Sequence, residues 1–139
     1  MIALILLSLA GAPAFILGGC ASAEIRGGRP YPSQLERLTP LDIQVFRDVG
    51  PRELRLTNTS ARSLGPSRLW INAWYSASVE PLEVGQTISV HISRFRDEHG
   101  ERIRGGGFFA ARAPEPIVLA ELETDGGLRP IVYVPMLDR

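Results

Sequence analysis

Gly and Pro punctuate this chain so closely that no stretch sets apolar residues at helical spacing over three turns; one or the other interrupts every candidate. The runs left between them are short and alternate with period two. Leu41, Ile43 and Val45 alternate with Asp42, Gln44 and Phe46, and Leu54 and Leu56 alternate with Glu53, Arg55 and Thr57. Ile88, Val90 and Ile92 alternate with Thr87, Ser89, His91 and Ser93; Leu69 to Tyr75, Ile117 to Leu122 and Ile131 to Val134 are richer apolar runs. Each pattern is that of a strand with at least one buried face. Turn chemistry falls between them at Asp48-Val49-Gly50-Pro51, Asn58-Thr59-Ser60, Gly65-Pro66, Val84-Gly85, His99-Gly100, Gly105-Gly106-Gly107, Pro114 with Pro116, and Asp125-Gly126-Gly127. The chain therefore reads as all-β, and a two-layer β-sandwich of about seven strands suits its length and uneven loops better than a closed barrel.

Ahead of this region the composition changes twice. Met1 to Gly19 carry no charged side chain and form a nearly continuous apolar stretch broken by Gly11 and Pro13. Small residues at its end distinguish it from a spanning helix, which needs about 20 apolar residues. Cys20, the one cysteine, follows Leu17-Gly18-Gly19. A lone thiol has no intramolecular disulfide partner, so an attachment point is the natural reading. From Ala21 to Pro40 the chain holds Gly27, Gly28, Pro30, Pro32 and Pro40 without sustained periodicity, the composition of a tether. The expected division is 1–19 signal peptide, 20–40 flexible tether and 41–139 sandwich.

Two resemblances rest on these residues. Leu17-Gly18-Gly19-Cys20 resembles the box of bacterial lipoprotein signal peptides, although no Lys or Arg follows Met1 as is usual in that class. The resemblance implies that Cys20 is acylated and becomes the first mature residue. With Ala21 in second place it implies an outer-membrane lipoprotein facing the periplasm, held by acyl chains that contribute about 0.8 kcal/mol per buried methylene. The segment Leu54 to Ser93 resembles immunoglobulin-like modules of bacterial envelope proteins. A strand ending in Asn58-Thr59-Ser60 precedes Leu69-Trp70-Ile71-Asn72, and Leu82-Glu83-Val84-Gly85-Gln86-Thr87 turns into the next strand. These motifs are turn chemistry, and they imply a fold rather than an activity.

Fifteen basic residues, all Arg, balance fifteen acidic ones. Without a basic excess a nucleic-acid surface is not expected. Arg94, Arg96, Arg102 and Arg104 interleave with Asp97, Glu98 and Glu101, which makes a solvated mixed-charge face. His91 and His99 are the only histidines. The run Asp97-Glu98-His99-Gly100-Glu101 offers ligand atoms but lacks calcium-loop spacing, so neither a metal nor another cofactor is expected. The triglycine has no following Lys, Ser or Thr to make a phosphate cradle. Glu121 and Glu123 share a strand face and read as exposed positions rather than a glycosidase pair.

The run Leu69 to Tyr75 is the one candidate surface. If Leu69, Ile71, Ala73 and Tyr75 face the core, then Trp70, Asn72 and Trp74 face outward, with the two indoles about 13 Å apart at 3.3 Å per residue. Such a pair could stack sugar rings or anchor a protein. The plainer reading puts one or both indoles in the core or under a neighbouring loop. The expected function is that of a membrane-anchored, non-enzymatic interaction or structural module, meeting an envelope protein or glycan through Trp70, Asn72 and Trp74. A carbohydrate or peptidoglycan module on the same face is the first alternative. An enzyme with a loop-built site, such as His99 with Asp97 and Glu98, is the second.

Overall fold

The computed structural model describes residues 28–48, 52–104 and 115–134. The expected signal peptide, Cys20 and the triglycine lie outside them. The described residues hold seven strands, one 3-10 turn at Ile92–Arg94 and no α-helix. The strands are β1 (Leu41–Asp48), β2 (Glu53–Asn58), β3 (Ser67–Ile71), β4 (Tyr75–Val79), β5 (Thr87–His91), β6 (Ala120–Thr124) and β7 (Gly127–Val134). They hydrogen-bond in the order β4-β3-β6-β7-β1-β2-β5, one mixed sheet that curls towards a barrel.

The curl follows from what the strands bury. Ile43 and Val45 of β1, Leu54 and Leu56 of β2 and Val90 of β5 share one cluster with Leu69 and Ile71 of β3, Ala77 and Val79 of β4 and Leu122 of β6. Strands from opposite ends of the order can share a core only if the sheet folds back over itself. The link between the halves is β7. Its first half pairs antiparallel with β6, as in Leu122↔Arg129, and its second half pairs parallel with β1, as in Val45↔Tyr133. Pro130, which has no N–H to give a ladder, lies just before the changeover at Ile131.

Two elements differ from the sequence reading. The run Leu69 to Tyr75 is two strands, because Asn72 and Ala73 both take positive φ, 55° and 53°, and the Trp74 N–H donates to the Ile71 carbonyl at 3.0 Å. Asn72 and Ala73 are the central pair of a tight turn whose handedness matches the twist of a hairpin, and because Ile71 pairs with Tyr75, Trp74 is the third residue of the loop. Asn tolerates the left-handed region, and Ala is forced into it. The turn ends the alternation after Ile71, so Trp74 belongs to the hairpin tip and not to the face of β3.

The second difference concerns residues 28 to 40. Expected as part of a tether, they form an arm packed over the outer face of β3 and β6. Backbone bonds join Leu128 to the arm on both sides, from the Leu38 N–H to the Leu128 carbonyl at 2.8 Å and from the Leu128 N–H to the Glu36 carbonyl at 2.9 Å. Two glycines permit the fit. A Cβ at Gly28 would overlap the Asp97 carbonyl oxygen, and one at Gly127, where φ is 136°, would come within 2.5 Å of the Glu36 carbonyl.

Candidate functional site at the hairpin tip

The outer face of β3 and β6 is polar by sequence, and the arm seals it. Trp70 and Glu121 are in register across the β3–β6 pair, and both are buried, at 0% and 1% exposure. The Tyr31 ring meets the Trp70 indole edge-on, with centroids 5.3 Å apart. Tyr31 donates its hydroxyl to Glu121 Oε2 at 2.6 Å, and Arg37 Nε donates to Glu121 Oε1 at 3.1 Å. Trp70 Nε1 donates to Glu123 Oε2 at 2.8 Å, while Arg29 pairs with Glu123 Oε1 at 3.2 Å. Each buried polar atom in this layer therefore has a partner, as a desolvated carboxylate and indole require. Burial, then the adjacent Glu121 carboxylate, pushes the Tyr31 hydroxyl above the ordinary tyrosine range.

This layer corrects two expectations. Trp70 does not stand on the surface beside Trp74; it lies beneath Tyr31, which agrees with the plainer reading of a Trp under a neighbouring segment. Glu121 and Glu123 do not stand in solvent. The sequence assigns the outer face of β6 to water because period two distinguishes only two faces and cannot show that an arm covers one of them. Sequence reasoning missed Arg29, Tyr31 and Arg37 altogether. The available signal was a pair of acids flanking the core residue Leu122, which would need partners if anything lay over them.

Among the described residues, Trp74 is the aromatic side chain left open. Its side chain is 50% exposed at the tip of the β3–β4 hairpin. The tip is held rigidly by Asn72, whose side-chain N–H donates to the Pro116 carbonyl at 2.7 Å and whose Oδ1 accepts from the Val118 N–H at 2.9 Å and the Leu119 N–H at 3.3 Å. Asn72 thus serves as a brace, with its amide oxygen and one of its N–H groups engaged by the neighbouring segment. Val118, in the braced segment, is 80% exposed. Beside Trp74 a small cleft of about 80 Å³ is lined by Tyr31, Ala73 and Glu98.

The other polar candidates are closed turns. Asp97 is buried and accepts from the backbone N–H groups of His99 at 3.0 Å and Glu101 at 2.7 Å. His99 Nε2 lies 3.4 Å from Glu98 Oε1. His91 Nδ1 contacts Ser93 Oγ at 2.6 Å and accepts from the Ser93 N–H. Among the described residues no three His, Cys, Asp or Glu side chains converge to hold a metal. At the opposite end of the hairpin an open cleft of about 610 Å³ is lined by Arg68, Ser78, Glu80, Glu123 and Asp125. Burial, then Arg29, lowers the Arg68 pKa, and its guanidinium donates to the hydroxyls of Ser76 and Ser78. No family model matches the chain, and no curated protein or solved structure matches it either.

Proposed function

We propose that the chain is an envelope lipoprotein acylated at Cys20, whose mature part is an immunoglobulin-like sandwich acting as a non-enzymatic interaction module. The strand order supports the fold reading. β1, β2 and β5 form one half and β4, β3, β6 and β7 the other, and the chain passes between the halves after β2, after β4 and after β5, as in immunoglobulin-like sandwiches. The observation that carries the functional reading is Trp74. A half-exposed indole on a turn where Ala73 is held at positive φ is an anchor whose strain has no role in the core. The partner is met through the tip, by Trp74 with Val118. The two-indole sugar platform loses its geometric motive, because Trp70 lies under the arm.

The experiment is expression of the full chain and of Cys20→Ser in a bacterial host that exports and acylates lipoproteins. The expected result is an acylated Cys20 by mass spectrometry and a membrane-bound chain, with Cys20→Ser in the soluble fraction. A Cys20→Ser chain that stays membrane-bound would mean the apolar segment is an uncleaved anchor, and the lipoprotein reading would fall.

A further inference from the structure

Anchoring at Cys20 leaves a short leash. The arm joins the folded domain at Gly28, packed against the backbone of Asp97, so eight Cα–Cα steps separate it from the acylated residue. Those steps span at most about 29 Å at 3.6 Å each. A domain of this size is itself about 35 Å across, from a radius of gyration near 13 Å. The end of the domain where Gly28 sits is therefore the end that stays near the bilayer.

That end is the hairpin tip. Asp97 follows Arg96, whose backbone exchanges two hydrogen bonds with Ser76 at the start of β4. Glu98 and Tyr31, near neighbours of Asp97 and Gly28 in sequence, line the small cleft beside Trp74. From here the arm runs away along the outer face to Leu128, beside the β6–β7 turn. The geometry thus sets the exposed Trp74 and Val118 at the end of the molecule nearest its own anchor. Indoles favour the headgroup level of a bilayer, where the ring is half desolvated and the N–H remains wet.

From this placement we infer that, in the lipid-anchored protein proposed above, Trp74 and Val118 rest in the interface of the same bilayer that holds Cys20. The contact makes the tip a second foot, so the domain stands in a fixed orientation with the β6–β7 turn and its cleft directed away from the lipid. A single point of attachment at Cys20 fixes distance but not orientation. Two separated contacts fix both.

The test uses the full acylated chain reconstituted into phosphatidylcholine vesicles with and without brominated acyl chains, which quench an indole only at close range. Trp70, sealed under Tyr31, supplies an internal short-wavelength reference. The expected result is loss of the long-wavelength emission in brominated vesicles, a loss absent from Trp74→Phe. A chain that floats with the vesicles and carries an acylated Cys20, yet keeps its Trp74 emission open to aqueous acrylamide and unquenched by bromine, overturns the inference and leaves the anchor reading intact. The tip would then face a soluble protein or glycan. A chain with no acyl mass on Cys20 overturns the anchor reading and this inference with it.

Discussion

Trp70 and Trp74 are four residues apart and live in opposite worlds. Trp70 has its ring against Tyr31 and its N–H on Glu123, inside a layer where two guanidinium groups and one hydroxyl from the arm answer two carboxylates from β6. Trp74 has half its surface in water on a braced and strained turn. The sealed layer shows how a sheet can bury charge on the face away from its core. Every carboxylate needs a partner, so the layer specifies where the arm lies as well as that it binds. The tip shows the reverse: a rigid frame built by Asn72 to hold an apolar side chain outside.

Substitutions can sharpen that contrast. Trp70→Ala should cost the most, about 3 to 5 kcal/mol, read as a lower urea midpoint with an unchanged slope. A cost below about 1 kcal/mol would place the indole outside the packed layer. Glu121→Ala comes next, at about 1 to 3 kcal/mol, because it strips Tyr31 and Arg37 of their shared acceptor. Limited proteolysis should then cut the arm after Arg37 faster than in the wild type, whereas unchanged cutting would mean that the backbone bonds at Leu128 hold the arm alone.

The layer should also carry a pH signature. The hydroxyl of Tyr31 titrates above its unfolded value near 10, driven first by burial and next by Glu121, and Tyr75 shifts the same way through burial and Glu115. Raised values mean that the folded state holds its protons longer. Stability is thus fully present below about pH 10 and is lost as pH climbs through the folded values. Urea midpoints between pH 8 and 11 should fall at the alkaline end, and less steeply for Tyr31→Phe. An identical fall in that variant would acquit Tyr31.

At the tip the effects shrink. Ala73→Gly should raise stability by up to about 1 kcal/mol, since Gly accepts positive φ without a Cβ clash. A loss instead would mean that Ala73 packs better than it is strained. Trp74→Ala should lie within about 0.5 kcal/mol of wild type by thermal midpoint, as an exposed side chain would; a larger loss would give it a structural role.

The sequence showed most where period two meets a dry core. Ile43, Val45, Leu54, Leu56 and Val90 were legible because alternation states directly which side chains point inwards, and all five are buried. The β3–β4 turn was illegible because Asn72-Ala73 lacks the Gly that usually marks such a reversal, so an apolar run continued on paper where the backbone turns. The arm was less legible still. Its hold comes from single polar contacts at Arg29, Tyr31 and Arg37 and from carbonyls at Glu36 and Leu38, none of which makes a periodic pattern. The tip residue Trp74 could be picked out by type alone, but its separation from Trp70 follows from the turn and the arm together.

The path of the arm also has a mechanical meaning. Tension applied at Gly28 does not reach β1 directly, since the chain between them is fastened to the outer face at several points. A pull would first strip contacts singly, beginning with the salt bridge of Arg29 and the hydroxyl of Tyr31, then the guanidinium of Arg37, and last the two backbone bonds at Leu128. Beyond these lies β1, paired along its length with β2 and β7. The arm thus lies in series with the sheet, so tension entering at Gly28 would meet these few contacts before it reached the ladders of β1.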